Sequence, residues 1–283
     1  MRKLLFIAFM LAATLSKGQL QMMFTADSLF GITSPLGVDS LFYWFAADLG
    51  VLDSLGGTIA NNEGVGTWAD QSGNGYNITQ TTDTDRPVYK ATGGAGSKPA
   101  LQFDGSDDYM TSTAHFWGSD DITIFVVGKW ASATRNVSEA VIGKGTGSGD
   151  KRNWQFYGGN TAESYFIRLN AFKDGAATNV TNYTTDTEDK SATNKLYAAT
   201  SNGAGTYTLY VDGSVVATTR SVGGTGDDTI FNDNTAGSRI GINLGGTLFS
   251  QMTISEIIVY SRAITTAQRV AIETYLNKKY DLY

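Results

Sequence analysis

An all-β chain, folded as a two-sheet antiparallel sandwich with a single C-terminal α-helix, is what this sequence predicts. Three observations carry that expectation. From Leu41 onward, short apolar runs are separated by Gly, Asn and Asp clusters, the punctuation of short strands and tight turns. Asp212-Gly213 falls between two such runs, a strong hairpin signal. Helical periodicity is found only in the C-terminal segment. The composition agrees. With 41% hydrophobic and 17% charged residues, the chain is too apolar to be disordered. Its 283 residues suit one large sandwich, which can bury a sizeable core without covalent staples.

The N-terminus reads as an export signal. Arg2 and Lys3 precede an apolar run from Leu4 to Leu15, followed by Ser16-Lys17-Gly18, the pattern of a secretory signal peptide spanning residues 1–18. Its apolar run covers only about 18 Å as a helix, short of the ~30 Å core of a bilayer. Residues 19–37 then read as a tether, and 38–283 as the sandwich with its terminal helix at 265–280. The expected location is extracellular or cell-surface, with the periplasm as the other compartment, and no transmembrane span in the mature chain.

Nine runs read as strands. Ile122–Val127 is apolar at both parities, so it belongs in a sheet covered on both faces. The others are Ala140–Ile142, Trp154–Tyr157, Tyr165–Asn170, Leu196–Thr200, Tyr207–Val211, Val215–Thr219, Arg239–Ile242 and Ile254–Tyr260. Thr265 with Gln268 forms a capping box. Ile272, Tyr275, Leu276 and Lys279 then recur at helical spacing, a stripe that can lie on a sheet.

Composition also excludes whole classes of chemistry. With no Cys, there is no disulfide, thiolate metal site or Cys nucleophile. The single His, His115, excludes His-rich zinc sites, and no G-x-S-x-G elbow exists for it to serve. A net charge of −6 argues against nucleic acid, whose phosphates need clustered Lys and Arg. The stretch Gly143–Gly149 lacks the order of a phosphate loop and precedes no helix pattern.

Three segments together resemble the concanavalin A-like lectin/glucanase superfamily, closest to the laminin G-like jelly-roll domains of bacterial, Bacteroidetes-type secreted and surface proteins. They are Phe42–Asp48 with Thr67–Gly75, Arg86–Tyr89 with Lys98–Tyr109, and Ile254–Ile264 leading into the helix. The resemblance covers about residues 38–283 and implies a jelly-roll topology. It also implies that Glu256 is a structural acid and that Trp44 and Trp68 are core. Function is less tightly implied, because the superfamily holds lectins, hydrolases, adhesion modules and spacers.

Its hydrolases use carboxylates about 5–9.5 Å apart, on one strand as Glu-x-Asp-x-x-Glu in laminarinase-like relatives. No such strand occurs here, and the six Glu residues are scattered. A catalytic site is therefore not expected. Many members hold Ca²⁺ at the sandwich rim, where the ion wants six to eight oxygen ligands. The candidate ligands are Asp227, Asp228 and Asp233, with the bend Asp104, Asp107 and Asp108 second. For a sugar-binding face the candidates are Trp117, Trp130, Trp154 and Tyr157, aromatics near strand ends. The expectation is a non-catalytic exported sandwich that binds a polysaccharide or glycoconjugate, with Ca²⁺ as the one cofactor in question. The alternative is a structural subunit of a virion, fibre or cell-surface assembly, partnered by neighbouring subunits. A glycoside hydrolase comes third.

Overall fold

A computed structural model describes residues 32–113, 121–131, 139–145, 152–161, 164–172, 179–184, 191–201, 207–222 and 237–283. Its strands are β1 Leu41–Ala46, β2 Val51–Leu52, β3 Thr67–Trp68, β4 Ile78–Thr79, β5 Val88–Lys90, β6 Ala100–Asp104, β7 Met110–Ser112, β8 Thr123–Trp130 and β9 Glu139–Gly145. There follow β10 Arg152–Thr161, β11 Ser164–Phe172, β12 Asn179–Thr184, β13 Lys195–Ser201, β14 Tyr207–Val211, β15 Ser214–Val215, β16 Thr218–Val222, β17 Ser238–Ile240 and β18 Gln251–Tyr260. The helix α1, Thr266–Tyr280, closes the chain. No described helix is long and apolar enough to cross a membrane. The signal peptide expected at 1–18 lies outside the described residues, as does most of the tether; of the latter, Pro35 is docked, its carbonyl accepting from the Tyr260 hydroxyl at 3.0 Å.

All the strand pairings are antiparallel. The first sheet runs β15-β14-β13-β8-β18-β6-β5, with β1 also paired to β18, and the second runs β16-β12-β11-β10-β9-β17-β7-β4-β3-β2. This is the expected sandwich. Between the sheets lies one core, which includes Phe45, Trp68, Ile124, Val126, Trp154, Phe156, Ile257 and Val259. On the far side of the first sheet, Phe125, Val127, Leu196, Ala198 and Ile258 pack against Ile272, Leu276 and Tyr280 of α1 in a second core. The two parities of β8 therefore feed two different cores, which is why its sequence is apolar at both parities from Ile124 to Val127.

Local chemistry explains the turns. At the β14–β15 hairpin both Asp212 (φ 47°) and Gly213 (φ 76°) are left-handed, the conformation a tight primed turn needs. Asp212 is also a clamp. Its carboxylate accepts from the Leu196 N–H at 3.0 Å and from Lys195 Nζ at 2.6 Å. The segment 70–75 likewise acts as a clip on β1. The Asp70 carboxylate accepts from the backbone N–H groups of Trp44, Ser72 and Tyr76, while Asn74 Nδ2 donates to the carbonyls of Leu41 and Phe42.

One expected strand is corrected. Val215–Thr219 is two strands, β15 at the edge of the first sheet and β16 at the edge of the second. The chain changes sheets in between, and alternation is blind to which sheet a run joins. The capping box forms as expected, with the Gln268 N–H donating to Thr265 Oγ1 at 3.2 Å and the Thr265 N–H to Gln268 Oε1 at 3.0 Å.

The helix is tied down by Glu256, whose residue is only 1% exposed on β18. One carboxylate oxygen accepts from Trp44 Nε1 (2.8 Å) and the Tyr275 hydroxyl (3.2 Å). The other accepts from Lys279 Nζ (2.7 Å) and the Tyr280 hydroxyl (2.7 Å). Burial pushes the Glu256 carboxyl up, and the Lys279 ammonium is the main influence pulling it back. An amide keeps the shape but offers only one accepting atom and leaves Lys279 without a buried counter-charge. Glu256→Gln is expected to lower the unfolding free energy by about 3 kcal/mol, read by denaturant titration.

Candidate functional site

The outer face of the first sheet changes character along β13 and β14. Leu196 and Ala198 are apolar where α1 covers them. Tyr210 lies opposite Ala198, and beyond them on the same parity stand Thr200 and Thr208, opposite each other in the ladder. The helix begins here, so the sheet's hydroxyls are left facing an open cleft of about 340 Å³. Ala263–Thr266 and Arg269 form its other wall, and Ser201 completes the strand side.

The walls are fixed by buried bonds. Thr123 Oγ1 donates to the Arg262 carbonyl at 2.9 Å and accepts from the Ile264 N–H at 3.2 Å, which seats the β18–α1 connection on β8. The Ser201 hydroxyl donates to the Asp121 carboxylate. Arg269 spans the cleft floor. Its Cζ lies 4.1 Å from the centroid of the Tyr210 ring, a desolvated cation–π contact. Its Nη1 donates to Glu273 Oε2. Nε of Arg269 and Oε1 of Glu273 are sealed from water without partners, so only part of the guanidinium fork is used. Burial pushes the Glu273 carboxyl up, and Arg269 draws it back down.

The bend after β6 brings Asp104, Asp107 and Asp108 together, one carboxylate oxygen of each lying within 4.8 Å of the others. Much of their bonding capacity is already engaged by the turn. Asp108 Oδ2 accepts from the Asp104 N–H at 2.7 Å, and Asp104 Oδ1 accepts from the Ser106 N–H at 2.7 Å. Three carboxylates with two oxygens so engaged fit a calcium ion only in part, since six to eight oxygens are needed. Burial raises the Asp108 carboxyl to about 7, with Asp104 and Asp107 adding repulsion.

This bend and the cleft are not one site. Asp104 pairs with Gln251, next to the Met252–Trp130 pair, whereas Thr200 pairs with Thr123 at the other end of β8. Seven strand steps, about 23 Å, separate those ends.

Among the described residues, the aromatic candidates Trp130, Trp154 and Tyr157 are buried. Trp130 is 2% exposed, Trp154 0% and Tyr157 5%. Trp130 packs edge-on to Tyr197 at 5.1 Å between the sheets, and Trp154 shares that core. Tyr157 has the opposite parity on β10 and lies outside this core. Its hydroxyl accepts from Arg168 Nη1 at 2.7 Å and Asn170 Nδ2 at 3.1 Å. Nearness to a strand end does not decide exposure; parity and covering segments do. Trp117, His115, Asp227, Asp228 and Asp233 lie outside the described residues. Trp44 and Trp68 are core, as expected, with Trp68 Nε1 donating to the Ala46 carbonyl. Sequence reading missed the cleft, whose residues become neighbours only through the β13–β14 pairing and the entry angle of α1.

No family model matches the chain, and no curated protein matches it in sequence. Solved structures do match in shape. Domain 4 of AbnA, a GH43 extracellular arabinanase from Geobacillus stearothermophilus, solved in complex with arabinotriose, superposes with a TM-score of 0.55 at 14% identity, covering 83% of this chain and 98% of that one. The receptor-binding domain of botulinum neurotoxin D gives 0.54 at 12% identity over 87% of this chain and 54% of that one. The same toxin's ligand-binding domain in complex with N-acetylneuraminic acid gives 0.53 at 9%, covering 90% and 52%. The shared feature is the sandwich. This chain spans about half the length of the toxin chains it matches.

A raised carboxyl has a stability consequence. Between about pH 4 and 7 folded Asp108 keeps a proton that the unfolded chain releases, so its contribution to stability falls as pH rises through that window. Comparing denaturation midpoints at pH 5 and pH 8 should therefore show a smaller loss in Asp108→Asn than in the parent protein.

Proposed function

We propose that this chain is a non-catalytic, exported carbohydrate-binding sandwich of the laminin G-like kind, and that the cleft over β13 and β14 holds the sugar. The observation that carries the reading is the cleft itself. It is open, its volume of about 340 Å³ falls in the range of small-molecule sites, and hydroxyl residues Thr200, Ser201, Thr208, Thr265 and Thr266 line it, Ser201 and Thr265 already donating to Asp121 and Gln268. Hydroxyls and a guanidinium are suited to the hydroxyl-rich surface of a saccharide. No Asp or Glu is among its described lining residues, whereas glycoside hydrolysis calls for a carboxylate pair. The arabinanase domain and the toxin domain named above, solved with arabinotriose and with N-acetylneuraminic acid, are sandwiches of this shape that hold sugars, which lends the reading further support.

Calcium divides the alternatives. An ion at Asp104, Asp107 and Asp108 would sit at the far end of the sheet from the cleft, too distant to touch a sugar there. A calcium-bridged sugar contact would instead fall to Asp227, Asp228 and Asp233. A glycan array probed with the purified protein, in Ca²⁺ and in EDTA, tests the reading. The expected result is selective binding that survives EDTA. Binding lost in EDTA would move the site to the Asp227–Asp233 segment, and silence from folded protein in both conditions would overturn carbohydrate binding altogether.

A further inference from the structure

The cleft carries an electrostatic signature beyond its hydroxyls. Its wall contains the start of α1, a helix of 15 residues, whose aligned peptide dipoles place about half a positive charge at that end. The capping box occupies the N–H groups of Thr265 and Gln268. The N–H groups of Thr266 and Ala267 are ones a helix cannot satisfy internally. Thr266 itself lines the cleft, and so does Arg269, four residues beyond the cap and on the same side of the helix. Arg269 is only 8% exposed. It lies over the Tyr210 ring and is tied to Glu273 through Nη1, with Nε sealed inside, so any contact with the cleft is left to the rest of the guanidinium edge. Glu273 balances the guanidinium charge from the next turn, so the uncompensated field in the cleft is that of the helix end. On the strand side, Asp121 accepts from the hydroxyl of Ser201.

Resting on the carbohydrate reading, we infer that the sugar bound here is acidic, with a carboxylate seated between the first turn of α1 and Arg269. The sugar's hydroxyls then meet Thr200, Ser201 and Thr208. A carboxylate accepts from backbone N–H groups and a guanidinium edge together, and the low exposure of Arg269 strengthens both contacts. The discrimination comes from the anion, because a neutral hexose offers the helix end only the weaker acceptors of its hydroxyls.

The test is calorimetric titration of the full chain with glucuronic acid and with glucose, repeated on Thr266→Glu. A glutamate in the first helical turn favours the helix, so this variant should keep or raise its thermal midpoint while placing a negative charge in the cleft. Glucuronic acid is expected to bind at least about tenfold more tightly than glucose, and Thr266→Glu to lose most of that advantage. Equal binding of the two sugars, unchanged in Thr266→Glu, would overturn the acidic preference and leave the carbohydrate reading intact. Preference for the acid that survives in the variant would place the anion elsewhere and overturn the assignment to this helix end. If neither sugar binds, the inference falls; a positive glycan array with the same preparation would then preserve the broader reading, and a blank array would remove both.

Discussion

The buried carboxylate of Glu256 holds the architecture together. Four donors from two elements converge on it, Trp44 of β1 and Tyr275, Lys279 and Tyr280 of α1, with the acid itself on a third, β18. Such a charge is expensive to bury alone and is tolerated only when its lone pairs are all engaged. The helix therefore has one low-energy seat on the sheet. β18 in turn pairs with β1, β6 and β8, so the network fixes the central strand of the first sheet and the helix in one arrangement. Lys279 extends the network outward to Asp48 at 2.8 Å.

The position of the cleft follows from that seat. Because α1 is pinned near its C-terminal end, its N-terminus falls over β13 and β14 at a set place. The same geometry decides which part of the sheet's outer face is apolar and which is hydroxylated. At the other end of the helix, Ala95–Ser97 presses close: a Cβ on Gly96 would come within 2.8 Å of the Tyr280 carbonyl. The helix is bracketed, and the cleft is the space left in front of it.

Most of the longer strands and the helix were legible because their signals are local. β8, with both parities apolar, announced a doubly covered strand, and the Thr265–Gln268 box marked the helix start within a residue. Asp212-Gly213 gave its hairpin. Several elements that escaped had no local signal. The two-residue strands β2, β3 and β4 are too short for periodicity, and β12, Asn179–Thr184, is polar at almost every position. Trp130 and Trp154 drew attention as large aromatics near strand ends, yet only sheet pairing reveals which face each ring occupies. For the cleft the limit is sharper still: Thr200, Thr208 and Arg269 are ordinary residues until three separate elements bring them together.

One pairing also governs when this chain can fold. β1, the run Leu41–Ala46, is synthesised long before its partner β18; Leu41 lies opposite Tyr260. Neither core can close until both are present, and closure over so long a loop is slow. Until then a strand reading Leu-Phe-Tyr-Trp-Phe-Ala stands open to any exposed edge it meets. A nascent chain of this design stays pliable until β18 has emerged, and in the interval it depends on whatever shields that strand.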